Sequence, residues 1–166
     1  MNLVEREILT ALSTAIGSNA DTGFLSYYQG EVKVVPQSYL PALMVFGTES
    51  VTTPKDTLND IQQFTLTIRA VINLMAFVDE AGTGDTIKSQ YHLRELMEGT
   101  DPATGLYKSN SVLGVLRAKS GSLLGTYYKF IGNIRISYRT ITAGQFFYVA
   151  ADATVTAQSE LRPRGN

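Results

Sequence analysis

The sequence predicts an α+β protein: a mainly antiparallel β-sheet with two α-helices packed on one face. Two observations predict it. Apolar residues recur at helical spacing over 2–16 and again after Asp85, whereas residues 61–75, 127–140 and 146–157 carry apolar side chains in the alternation of a strand. The patterns come in the order helix, strands, helix, strands, which is an α+β layout. At 166 residues, 44% of them hydrophobic and 17% charged, the chain is long and apolar enough to bury one core, expected over 1–158.

The opening helix spans 2–16, with Val4, Ile8, Leu12, Ala15 and Ile16 on one side and Glu5, Arg6 and Thr10 toward the other. Gly17 stops it, and 18–23 has the composition of a loop. Tyr27 to Val35 alternates as a strand with Val32 and Val34 on one face, and Pro36 and Pro41 bracket a bend. Leu43 to Phe46 is a short buried strand released at Gly47. The polar run Ser50 to Asn59, with Pro54 inside it, reads as a long exposed loop between two strands.

Ile61 to Met75 is the clearest strand, with Phe64, Leu66, Ile68, Ala70, Ile72 and Leu74 on one face. At about 3.3 Å per residue it exceeds about 40 Å, so it either bends or bulges, or extends beyond the domain toward a neighbour. Gly82 to Asp85 is a turn, from which Asp85 caps a helix ending at Gly99. Ser111 to Ala118, apolar on both faces and β-branched at Val112 and Val115, is expected as a strand. Tyr127 to Thr140 and Phe146 to Ala157 follow as strands joined at Ala143-Gly144, and 159–166 is expected to be a flexible basic tail.

Composition narrows the function classes. Fourteen Lys and Arg against fifteen Asp and Glu leave a net charge of −1, without the basic excess of a dedicated nucleic-acid binder. The absence of Cys removes disulfides, iron–sulfur clusters, thiolate catalysis and Cys-based zinc sites. The single His92 cannot build an all-histidine metal cage. Charges at Glu5, Arg6 and Glu7 stand where a signal peptide needs apolar residues, and no apolar run is long enough to span a membrane, so a soluble chain made in the cytoplasm is expected.

Catalytic signatures are sparse. There is no G-x-S-x-G elbow and no phosphate-cradling P-loop. Gly82-Thr83-Gly84 could offer N–H groups to an anion, but Asp85 places a carboxylate at the same helix end. His92 has Glu95 one turn away and no nominated nucleophile, which reads as a surface or interface histidine. Asp79/Glu80 and Glu95/Glu98 lack the spacing of a calcium loop and read as solvated charge. No enzyme activity, metal or cofactor is expected. The adjacent rings Tyr27-Tyr28, Tyr127-Tyr128 and Phe146-Phe147-Tyr148 must each place one ring off the core side of a strand, either packed under loops or marking a subunit contact. Arg162 and Arg164 could pair with phosphates or acidic patches.

One family fits this series of elements. The opening helix is followed by Leu40-Pro41-Ala42-Leu43-Met44-Val45-Phe46-Gly47-Thr48-Glu49. Then come the strand Phe64 to Leu74, the helix with Tyr91-His92-Leu93-Arg94-Glu95-Leu96-Met97, the segment Ser111 to Leu116, and a strand from Phe130 to Tyr138. Over roughly residues 1–140 this resembles the tail terminator, or tail-completion, proteins of tailed bacteriophages. The resemblance implies a hexameric ring of small subunits that caps the tail tube, stops its polymerisation and faces the head connector, with DNA passing through without sequence-specific binding. It implies residence in the virion, after assembly in the host cytoplasm.

Residues from Ile141 onward exceed the pattern, and 141–158 is an extra hairpin or an arm laid on a neighbour. Under this reading Thr52, Thr53, Pro54, Lys55, Asp56 and Thr57 form the candidate tube-docking loop, and Phe146, Phe147, Tyr148, Arg162 and Arg164 the candidate subunit interface. The alternatives are another neck or head-completion protein, a hydrolase using His92 with a carboxylate, or a ligand-binding domain with a cavity lined by Tyr27, Tyr28, Tyr127 and Tyr128.

Overall fold

A computed structural model describes residues 2–19, 23–57, 59–119 and 128–161. Five strands form one mixed sheet: β1 (Ser26–Gln29), β2 (Ala42–Pro54), β3 (Asp60–Asn73), β4 (Tyr128–Ala143) and β5 (Phe146–Leu161), in the spatial order β1-β2-β3-β5-β4. Only β1 and β2 run parallel; the remaining pairs are antiparallel. Three helices, α1 (Asn2–Ile16), α2 (Thr86–Glu98) and α3 (Val112–Lys119), pack on the sheet. The fold is α+β, as the sequence predicts, with one helix more than the expected two.

The period of two along the strands divides the interior into two layers. On the helix face, Phe64, Leu66, Ile68, Ala70 and Ile72 of β3 meet Val149, Ala151, Ala153, Val155 and Ala157 of β5. Against them lie Val4, Ile8 and Leu12 of α1, Leu93, Leu96 and Met97 of α2, and Val112, Val115 and Leu116 of α3. The alanines of β5 keep the sheet surface low where α2 packs on it. On the opposite face a smaller cluster of Val35, Leu40, Ala42, Met44, Val71, Tyr148 and Ala150 lies beneath the irregular segment 30–41.

Several expectations need correction. The strand expected over Tyr27–Val35 stops at Gln29, and the chain then crosses the sheet as a cover, with a 3-10 turn at Gln37–Tyr39. The first half of the Ser50–Asn59 loop is strand: β2 pairs with β3 out to Pro54↔Asp60, leaving a tight turn after it. Edge position explains this, because a strand exposed on both faces shows no apolar alternation. Ser111–Ala118 is helix, not strand. The Ser111 hydroxyl accepts from Gly114 N–H at 3.1 Å and donates to the Lys108 carbonyl at 2.9 Å, so it starts α3. Tertiary packing through Val112, Val115 and Leu116 then outweighs the strand preference of the two β-branched valines.

Residues 141–158 are no appended arm: Phe146–Leu161 is paired on both sides, by β3 and by β4. Ser159, Glu160 and Leu161, expected in the basic tail, belong to β5 instead, and 162–166 lie outside the described residues. β3 itself carries no bulge in its pairing with β5; the irregularities fall in β2 between Gly47 and Glu49 and in β4 between Ile131 and Arg135. At Gly47 the backbone N–H donates to the Glu5 carboxylate of α1 at 2.6 Å, in place of a ladder partner.

Candidate assembly surfaces

The expected docking residues occupy one projecting end of the sheet. Thr52, Thr53 and Pro54 close β2, and Lys55, Asp56 and Thr57 lie in the turn to β3. Asp56 braces that turn by accepting from the backbone N–H of Asn59 at 2.8 Å and from its side-chain amide. Lys55 bonds Glu160 of β5 at 3.0 Å, tying the turn to the third strand in. Every side chain from Thr48 to Thr57 is exposed. Because β1 covers only Ala42–Val45, no strand pairs with the outer side of β2 beyond that point among the described residues.

The aromatic run at the other end divides as strand geometry demands. Phe147 continues the helix-face row of β5, whereas Phe146 and Tyr148 lie on the second face with ring centroids 6.3 Å apart. Phe146 and Phe147 are exposed. Tyr148 is not available as a subunit contact: it is 3% exposed, and its hydroxyl donates to the Val35 carbonyl at 3.2 Å, pinning the cover segment. Arg162 and Arg164 lie outside the described residues.

The rival sites are dispersed. Tyr27 faces the helix layer, 6.0 Å from Phe24, and donates to the Gly17 carbonyl at 2.6 Å; burial raises its pKa. Tyr28 packs on the second-face cluster, so Tyr27 and Tyr28 belong to different layers; Tyr127 lies outside the described residues, and Tyr128 opens β4 at the sheet end away from β1. His92 is half-buried with its ring 5.2 Å from Phe77. Glu95, one turn on, accepts from Lys108 at 2.9 Å. No three His, Asp or Glu side chains among the described residues come together to hold a metal ion.

Two features escape the sequence patterns. The first is a charged cluster on the second face. Arg69 grips Asp152 with two bonds, of 2.7 and 3.1 Å, and Glu31 with a third of 2.7 Å, while Arg139 adds 3.0 Å to the same Asp152. Arg69 also lies over the Phe46 ring, 5.2 Å from its centroid. The hydrogen bonds to Asp152, partly opposed by burial, raise the Arg69 pKa. The cluster rims a hollow of about 300 Å³ floored by Met44, Val71 and Tyr148. Its members stand up to 121 residues apart, so no local spacing announces them.

The second feature is the outer side of α2. Ile87 is 82% exposed and Tyr91, one turn on, 67%. With Phe77 and His92 they wall a groove of about 360 Å³. Across the Phe77–His92 pair lies a hollow of about 520 Å³ against Leu40, Pro41 and Ile72, on the β2–β3 side of the fold. A signal existed: Ile87 and Tyr91 are apolar residues that fall off the stripe made by Ser89, Leu93, Leu96 and Met97.

No protein-family model and no curated protein sequence matches this chain. No described helix is long and apolar enough to cross a membrane.

Proposed function

We propose that this chain is the subunit of a phage tail terminator: a structural protein that forms a hexameric ring on the end of the tail tube, stops its polymerisation and joins it to the head connector. The ring is a virion component assembled in the host cytoplasm, and DNA traverses its channel without base-specific contacts. The observation that carries this reading is the free outer side of β2, seven residues from Thr48 to Pro54 with every side chain exposed. A long, exposed edge with β-branched side chains at Thr48, Val51, Thr52 and Thr53 is a template for pairing with another chain, which isolated proteins normally blunt. A ring that sits on a polymer end uses such surfaces and needs no reacting group.

The test is the mass of the purified protein by light scattering, alone and with preformed tail tubes. The expected result is a hexamer, or a monomer that forms rings only on tube ends. A monomer that ignores tubes refutes the terminator and transfers the protein to a neck or head-completion partner. Replacing Thr52, Thr53 and Thr57 together by Lys leaves the fold intact, because all three side chains are exposed. It should reduce tube binding at least about tenfold, and unchanged binding removes this end of the sheet as the docking element.

A further inference from the structure

The hollow on the second face, of about 300 Å³, is at the small end of ligand sites. It opens between the cover segment, at Glu31 to Val35, and the end of β4, at Arg139 to Ala143. Its floor is apolar: Met44 and Val71 lie there, and Tyr148, whose hydroxyl is spent on the Val35 carbonyl, offers only its ring. The rim is ionic. Asp152 accepts two bonds from Arg69 and one from Arg139, and Glu31 accepts one from Arg69. Arg139 spends a single N–H in this way, and its side chain is half exposed. Lys33, on the same rim, makes no ion pair among the described residues. Three cations against two carboxylates leave one positive charge, with unused donors on Lys33 and Arg139.

We propose that this hollow binds a small organic monocarboxylate, its carboxylate held by Lys33 and Arg139 and its apolar body resting on Met44, Val71 and Tyr148. The surplus of one charge sets the charge of the ligand. A phosphate monoester, with nearly twice the charge, would leave negative charge uncompensated beside Glu31. The planar guanidinium of Arg139 matches a carboxylate, and the apolar floor favours a ligand with a hydrocarbon body over a bare inorganic anion. The site lies within one chain and needs neither a ring nor a tube, so it goes beyond the proposed function and does not rest on it.

The probe is phenylbutyrate, titrated into the purified chain by calorimetry and by amide NMR, beside the neutral phenylbutanol and the dianionic phenyl phosphate. Phenylbutyrate should bind with a Kd of about 1 mM or tighter. The alcohol and the phosphate should bind at least about tenfold more weakly. Amide shifts should move in the cover segment and at the end of β4. Lys33→Glu and Arg139→Gln both keep the fold, because Lys33 is exposed and Asp152 retains its two bonds from Arg69. Each should weaken phenylbutyrate binding at least about tenfold.

A lack of saturable binding up to about 10 mM overturns the site. Equal binding of the alcohol reveals an apolar cleft indifferent to charge, and tighter binding of the phosphate reveals a different class of anion; either result overturns the proposal. Binding that both variants leave unchanged places the ligand elsewhere and overturns it as well. Every outcome is read on the isolated chain, so failure here leaves the proposed ring untouched.

Discussion

Arg69→Met tests the view that the second face is organised by desolvated charge. Arg69 and Asp152 are 13% and 15% exposed at their side chains, so the carboxylate depends on its guanidinium partners for the hydration it has lost. Methionine removes both bonds to Asp152 and the one to Glu31. Breaking a buried pair from one side costs about 3–5 kcal/mol. Arg139 stays 3.0 Å from Asp152, however, and compensates part of its charge, which brings the expected loss to about 2–3 kcal/mol. For a chain of this size that lowers Tm by roughly 4–12 °C.

The assay is urea and thermal unfolding at neutral pH and one fixed protein concentration. Glu31 and Arg139, about half exposed, can turn back to water. Arg69→Met combined with Asp152→Leu should therefore recover to within about 1 kcal/mol of the parent, since apolar groups replace a buried pair nearly neutrally. A single variant that loses less than about 0.5 kcal/mol, or a double variant no better than the single one, refutes the reasoning.

Other perturbations check separate parts of the fold. Burial of the hydroxyl, with the negative charge of Glu98 second, raises Tyr138 to about 12 against an ordinary 10.0. The unfolded chain thus loses this proton first: the stabilisation is whole below pH 10 and disappears as pH rises toward 12. Tyr138→Phe should gain stability relative to the parent as pH rises across that window, and a constant difference contradicts the assignment. Ser111→Ala removes the cap of α3 and should cost about 1–2 kcal/mol in urea unfolding; a change below about 0.3 kcal/mol counts against the cap. Gly114→Ala improves helix propensity yet should destabilise, because its Cβ would collide with the Lys108 carbonyl, and a raised Tm contradicts that close approach.

Periodicity made α1, α2 and β3 legible to the residue or nearly so, because α1 and α2 each bury one face and β3 keeps its large apolar side chains on the helix face. Where burial follows another rule, the pattern misleads. Thr48–Pro54 is strand without alternation because neither face is covered, and Val32 and Val34 alternate in a segment that crosses the sheet rather than joining it. α3 is too short for its own propensity to decide, and Ser111 with the surrounding core decides instead. The neighbours of β5 were not readable, because pairing such as Asp60 with Leu161 spans the chain. The same non-locality hid the burial of Tyr148 and the meeting of Arg69 with Asp152. That Phe146 and Phe147 take opposite faces was legible because adjacent side chains on a strand alternate.

The insertion of β5 between β3 and β4 also sets a timetable. β3 carries the centre of the core, yet its second edge stays open until residues 146–161 arrive, long after α1, β1 and β2 have left the ribosome. The second edge of β3 therefore waits for partners 75 to 101 residues downstream, from Asn73↔Tyr148 to Asp60↔Leu161. The same step sets the exposed Phe146–Phe147 turn in position, so the core and that turn are completed together.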